Sequence, residues 1–295
     1  PNKQEKQTMI KINPPLKGRQ YHFNSIQEIL DKKITNKENL DCFAQKINQK
    51  HDNNSKWFGK NISDAENCLK EISAGWGHGL KISTEMDEKI PPPQVKSVKR
   101  RNVKGPEGDC LDMNQVNRGE LDIAWTKRKR VTRNARKRFT ITSNICTTWN
   151  VHSEKQIPRG VACATLAKAL IKAGHAVEVV AFMTNRGVVT DDSDTTTNTQ
   201  TVMTHTIQIK EFSAPLDVPT LVSGVAMAGF YRTVGFKIML LDPMQAGDYM
   251  GFPDRNATLT NEILGNKNST IINVPPSLET LEDAEKWIAE TTAGL

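Results

Sequence analysis

Three consecutive segments between Phe139 and Met183 constrain the fold more than anything else in the chain. FTITSNI, Phe139 to Ile145, alternates and is rich in β-branched residues, which predicts a strand. RGVACATLAKALIKAGH predicts a helix: Val161, Leu166, Ala169 and Leu170 share an apolar face, and Gly174 stands where a helix C-terminus belongs. VEVVAFM is an unbroken apolar run, the pattern of a parallel strand covered on both faces. A strand–helix–strand unit of this kind makes a right-handed crossover. Beyond a long polar loop, TNRGVVTDDSDTTTNTQ, the stretch TVMTHTIQIKEF puts Met203, His205, Ile207 and Ile209 on one face of a further strand. The expected class is α/β, a partly parallel sheet with flanking helices over 139–245.

Before this core, residues 1–95 are expected to be mostly helical. Residues 1–20 look extended and mobile. Asn24 and Ser25 can cap a short helix ending at Leu30, and ENLDCFAQKINQ spaces Leu40, Phe43, Ala44 and Ile47 as one helix face. Ser63 and Glu66 have capping-box spacing ahead of a helix that ends in the glycine-rich turn GWGHGL. Trp57 and Trp76 flank that helix and are assigned to packing. IPPPQ, 90–94, marks a linker, and 96–138 reads as a basic arm. After the core, 217–240 reads mainly as helix, with a break expected near Gly229 or Gly235. In the extension 246–295, STIINVPP suggests an edge strand. SLETLEDAEKWIAE suggests an amphipathic helix capped by Ser277, with an acidic outer side suited to a partner protein or to competition for the basic surface.

Charge is where function shows. The chain has 40 Lys and Arg against 33 Asp and Glu, a net charge of +7. Residues 96–138 alone hold 14 basic and 5 acidic residues, so the remainder is slightly acidic. Charge concentrated in this way points to a polyanionic partner, with a solvated linker as the plain alternative. The densest stretch is KRKRVTRNARKR, with Lys127, Arg128, Lys129, Arg130, Arg133, Arg136, Lys137 and Arg138. A second cluster holds Lys96, Lys99, Arg100, Arg101 and Lys104. If 127–138 runs on as a strand, Lys127, Lys129, Arg133 and Lys137 face one way and Arg128, Arg130, Arg136 and Arg138 the other. No regular strand buries both sets, so an edge, a hairpin or a wrapping arm is expected. Basic tracks beside aromatic platforms suit single-stranded nucleic acid. Trp125 precedes the run, and Trp149 ends the first core strand, where ligands of open α/β sheets bind. For both tryptophans packing and base stacking stay open, whereas Phe139 is assigned to the core.

Other chemistry finds little footing. The five cysteines are odd in number with no CxxC pair, which predicts free thiols and a reducing cytoplasm. None of the six histidines sits in a metalloprotease or His–Cys pattern, and His205 on an apolar strand face is assigned to the core. No phosphate-cradling loop and no nucleophile elbow is present. The N-terminal stretch has no signal-peptide core, and no apolar run reaches membrane-span length. The chain is expected to be a cytoplasmic non-enzyme without cofactor.

Residues 139–183 resemble the opening of a von Willebrand factor A-type domain, a Rossmann-like fold whose first strand ends in an Asp-x-Ser-x-Ser metal motif. The matching positions are Asn144, Cys146 and Thr148 in SNICTTW. Asn144 lacks the carboxylate charge and Cys146 offers soft sulfur where a hard cation needs oxygen; only Thr148 keeps a suitable ligand atom. Asp191, Asp192 and Asp194 in the polar loop are the remaining source of carboxylates. The resemblance thus implies the core without the metal. The whole chain also resembles a family of bacteriophage proteins, through its GWGHGL turn, linker, basic stretch and TTWN after the first core strand. It is similar in size and charge to the single-stranded-DNA-binding cofactors of phage RNA polymerases. That likeness implies a viral protein binding single-stranded DNA without sequence preference through Lys99, Arg100, Arg101, the 127–138 run, Trp125 and Trp149. The partner it implies is an RNA polymerase or replication protein, with self-association open. A protein-interaction module with a degenerate metal site and a phage structural protein are the rivals.

Overall fold

The computed structural model describes residues 19–48, 54–90, 96–134, 137–148, 151–189, 199–241, 252–265 and 268–294. In chain order, β1 (Arg19–Phe23) leads into α1 (Ile26–Asp31), α2 (Lys37–Asn48), α3 (Asn54–Trp57), α4 (Ala65–Ala74) and α5 (Gly77–Lys89). The basic segment forms β2 (Lys96–Gly105), β3 (Cys110–Leu111), α6 (Met113–Asn117) and β4 (Trp125–Asn134). Then come β5 (Arg138–Asn144), α7 (Ile157–Lys172), β6 (Ala176–Val189), β7 (Thr199–Lys210), α8 (Val218–Ala226), α9 (Ala228–Phe230) and α10 (Phe236–Leu241). The chain closes with β8 (Phe252–Pro253), β9 (Thr270–Asn273) and α11 (Leu281–Ala293).

The α/β class stands as expected. The large sheet has six strands in the order β1-β7-β6-β5-β9, with β8 joined to β6. β5 lies parallel to β6, connected through α7, and parallel to β9 on its other side. β7 runs antiparallel to β6, and β1 parallel to β7. The apolar run of β6 is explained by cover on both faces. Val177, Val179, Ala181 and Met183 join the main core beneath the helices, while Val180 and Phe182 pack with Leu259 and Leu264 on the other side. That second face is otherwise polar and internally bonded. Thr140 and Gln208 donate to Glu178 at 3.1 and 2.7 Å, and Thr142 donates to Asn273 at 2.6 Å.

Residues 19–90 share this core. β1 supplies an edge strand that the sequence reading missed, and α4 and α5 pack on α8 and α7. α5 was also missed, because Gly77 and Gly79 are poor helix formers. A Cβ on Gly79 would sit 2.9 Å from Val222, so glycine is what lets α5 approach α8. Buried Lys168 then ties α7 to α5 through Asp87 at 2.5 Å and Ser83 at 2.6 Å. Pro91–Pro93 lie outside the described residues.

Several local expectations shift. Asp64 caps α4, receiving Asn67 N at 2.8 Å, while Ser63 bonds to the Asp64 carboxylate. α2 turns Asn39 and Cys42 inward and leaves Leu40 exposed, because the Asn39 amide donates to Leu240 O at 3.2 Å. The 217–240 helix breaks near Gly229, as expected, with Met227 as the residue whose ψ of 116° leaves the helical range. Its continuation includes a π-turn, Tyr231–Gly235. The last helix starts at Leu281 under a capping box of Thr280 and Asp283, three residues later than Ser277 would place it. The polar loop is shorter than expected, since β6 and β7 stay paired out to Val189 and Thr199; Asp191, Asp192 and Asp194 fall outside the described residues. Among the described residues no single helix is long and apolar enough to cross a membrane; one pair bent by 74°, α8 with Ala228–Leu241, passes on length and composition and is core here.

Candidate nucleic-acid interface

The two basic clusters are partners. β2 and β4 form an antiparallel ribbon in which Ser97 meets Arg133, Lys99 meets Val131, Arg100 meets Arg130, Arg101 meets Lys129, Asn102 meets Arg128 and Val103 meets Lys127. The sequence reading treated 96–104 as linker because its alternation is obscured by charge. Pairing turns it into half of a ribbon about 33 Å long, at ~3.3 Å per residue. Over 96–104 and 125–134 there are ten Lys and Arg and no acid. Short β3 adds to the far side of β4, and two ion pairs, Lys104–Asp112 at 3.5 Å and Lys127–Glu107 at 4.0 Å, mark where the ribbon meets its tip.

Of the edge, hairpin and wrapping arm expected for 127–138, a paired antiparallel ribbon forms over 127–134, and it does not run on as one strand into the core. β4 ends at Asn134 in the small three-stranded sheet, and β5 begins at Arg138 in the large one. The run is therefore split. Lys127, Arg128, Lys129, Arg130 and Arg133 lie in the ribbon with Lys99, Arg100 and Arg101 across from them. Lys137 and Arg138 are exposed at the start of β5, with the Arg138 guanidinium 4.5 Å from the Phe212 ring. Arg136 and Trp149 lie outside the described residues. Trp125 is half-buried at the tip end of the ribbon, where β4 starts, opposite Gly105 and Leu111. Trp76 is buried and donates to Lys60 O at 3.1 Å, and Phe139 is fully buried. Of the aromatics placed, Trp125 alone adjoins the ribbon strands.

At the other end of β5, Asn144 and Cys146, two of the three positions compared above with a metal motif, are spent on internal bonds. The Asn144 amide donates to the carbonyls of Asp254, Arg255 and Ala257 at 2.9, 3.2 and 3.3 Å, and its Oδ1 accepts from Cys146 N at 2.9 Å. Cys146 Sγ accepts from Thr184 N at 3.3 Å and donates to Thr184 O at 3.5 Å. Burial pushes its thiol up to about 12. These groups stitch β5 to β6 and to 254–257. Among the described residues no cluster of three His, Cys, Asp or Glu is placed to hold a metal ion.

Two arginines that the sequence reading passed over fix the loop after β5. Arg159 donates to Cys146 O at 3.4 Å. Arg232, in the π-turn, donates to Thr148 O at 3.2 Å, to Val151 O at 2.6 Å and to Trp57 O, with its guanidinium 3.8 Å from the Trp57 ring centroid. Both are almost fully buried, and burial brings each down to about 10. Their signal in the sequence was an arginine inside an apolar helical stretch, RGVACATLA and GFYRTVGF.

Compared with known proteins, the chain matches the family model of a domain of unknown function over residues 4–293, nearly its whole length. No curated protein and no solved structure matches it.

Proposed function

The chain belongs to the DUF7192 family, and we propose that it binds single-stranded DNA without sequence preference along its β2–β4 ribbon, serving transcription or replication in the cytoplasm. The observation that carries this is the register. Two clusters separated by twenty residues of sequence are brought together into one acid-free track of ten cations. Each phosphate neutralised releases condensed counterions, so such a track gains affinity contact by contact without reading bases. A flexible single strand can follow an extended ribbon, and Trp125, where the ribbon meets its tip, offers one ring for stacking. Free cysteines, four of them buried, suit a reducing compartment.

A two-stranded ribbon also fits the major groove of a duplex. Comparing single-stranded and duplex ligands of equal length separates these cases. Replacing Arg100, Arg128 and Arg130 together by Ala should weaken binding at least tenfold with the melting temperature kept. Unchanged affinity would remove the ribbon from the interface and favour a protein-interaction module.

A further inference from the structure

The ribbon and its tip carry opposite charge. Between the two strands, residues 105–124 hold Glu107, Asp109, Asp112, Glu120 and Asp122 against the single cation Arg118. Asp109 and Asp122 form no ion pair among the described residues. The same tip exposes its large apolar side chains: Val103, Leu111, Met113, Leu121 and Ile123 keep between 37% and 63% of their surface. Only Leu40 and Leu281 match them among the described residues. Grouped exposed apolar residues rimmed by charge mark a contact surface.

Acids at this density repel phosphates, so the tip does not extend the nucleic-acid track. What complements it is a basic surface with apolar gaps. The ribbon of another copy has that character, ten cations and no acid over its two strands, with Val103 exposed beside them. We propose that the tip docks on the basic ribbon of a second copy, two ribbons lying antiparallel so that each tip covers the partner ribbon. Such a pair is two-fold symmetric and makes every contact twice, so it closes at a dimer. A nucleic acid and a second copy then compete for the same cations. The dimer itself rests on charge and exposure alone and does not depend on the nucleic-acid function.

The test uses the full chain freed of nucleic acid. Sedimentation velocity should give twice the chain mass, falling toward the single mass as salt rises. Met113→Lys with Leu121→Lys, which replaces apolar contact by charge of the ribbon's own sign, should return a single-chain mass at low salt with circular dichroism and melting temperature unchanged, since both side chains are exposed. Cys110 provides a second readout, because it is exposed at the tip. Position 97 pairs with Arg133 and Cys110 with Thr126, which puts 97 and 110 about 23 Å apart along one ribbon, too far for an internal disulfide. A Ser97→Cys variant should therefore form a disulfide-linked dimer under mild oxidation. A single-chain mass at every concentration overturns the dimer. So does a dimer that survives the double Lys variant, or a loss of nucleic-acid affinity in that variant despite its added charge, which would put the tip on the nucleic acid instead. Failure to bind DNA with the dimer intact would sink the proposed function alone.

Discussion

Arg100 of β2 stands directly opposite Arg130 of β4, with Arg101 and Lys129 as the next pair along the ribbon. Like charges facing each other across an antiparallel pair weaken it, by about 0.2–1 kcal/mol per pair. A nucleic acid bound along the ribbon, as proposed, would offset that cost. Arg130→Thr should protect the amides of β2 and β4 more strongly from hydrogen exchange at low salt, while lowering affinity for nucleic acid. Added single-stranded DNA should raise the same protection in the unaltered chain and less so in the variant. Equal exchange in all four conditions would mean the facing arginines cost the ribbon nothing.

Arg232 holds the loop that follows β5 from beneath. Replacing it by Ala takes that donor from the part-buried carbonyls of Trp57, Thr148 and Val151, at about 1 kcal/mol or more each. Arg232→Ala should destabilise the fold by about 3 kcal/mol or more in urea unfolding. Arg232→Lys should recover only part, because an ammonium cannot fork to three carbonyls or stack on Trp57 as a guanidinium does.

Gly160 is the point where α7 and α8 touch backbone to backbone. A Cβ there would lie 2.2 Å from Ala226 Cα and 2.3 Å from Val225 O. Gly160→Ala should cost about 2 kcal/mol or more through overpacking, despite the better helix propensity of alanine. A stability gain on chemical denaturation would show that the two helices can part freely.

The thiols divide sharply. Cys68, Cys146 and Cys163 are buried, and burial pushes each up to about 12, so they stay protonated and shielded. Cys42 is buried and Cys110 exposed. Native protein at pH 8 should react with one equivalent of a thiol reagent and unfolded protein with five. The raised values also fix a sign. The three thiols favour the fold fully below their unfolded value near 9, and lose that contribution as pH climbs from there toward 12.

The central strands and helix were legible because their signals are local. Phe139, Val161 and Leu170 announce β5 and α7 by periodicity alone, and the turn at Gly174 closes the unit. β1 and β2 were not legible. RQYHF is too short to show a period, and KSVKRRNVKG takes its strand state from a partner twenty residues on. Residues of the candidate site could be picked by charge, but not their arrangement: charge density singles out Arg100 and Arg130, and only the register pairs them. α11 was legible as an amphipathic helix with an acidic outer side: Ala284 and Ile288 of its apolar face are fully buried, and it packs on α7. Two of its acids already reach lysines of the body, Glu285 to Lys89 at 3.4 Å and, just before the helix, Glu279 to Lys155 at 3.7 Å. Its acidic surface is better probed by Glu282→Lys and Glu290→Lys than by deletion, which would strip the core.

The most direct measurement is fluorescence anisotropy with labelled single-stranded and duplex DNA of equal length, titrated across salt with the unaltered chain. Binding along the ribbon predicts tighter association with the single strand and a log–log salt slope of several units, since ~0.7 unit is expected for each phosphate neutralised on a single strand. No measurable binding at low salt, or a slope near zero, would contradict it.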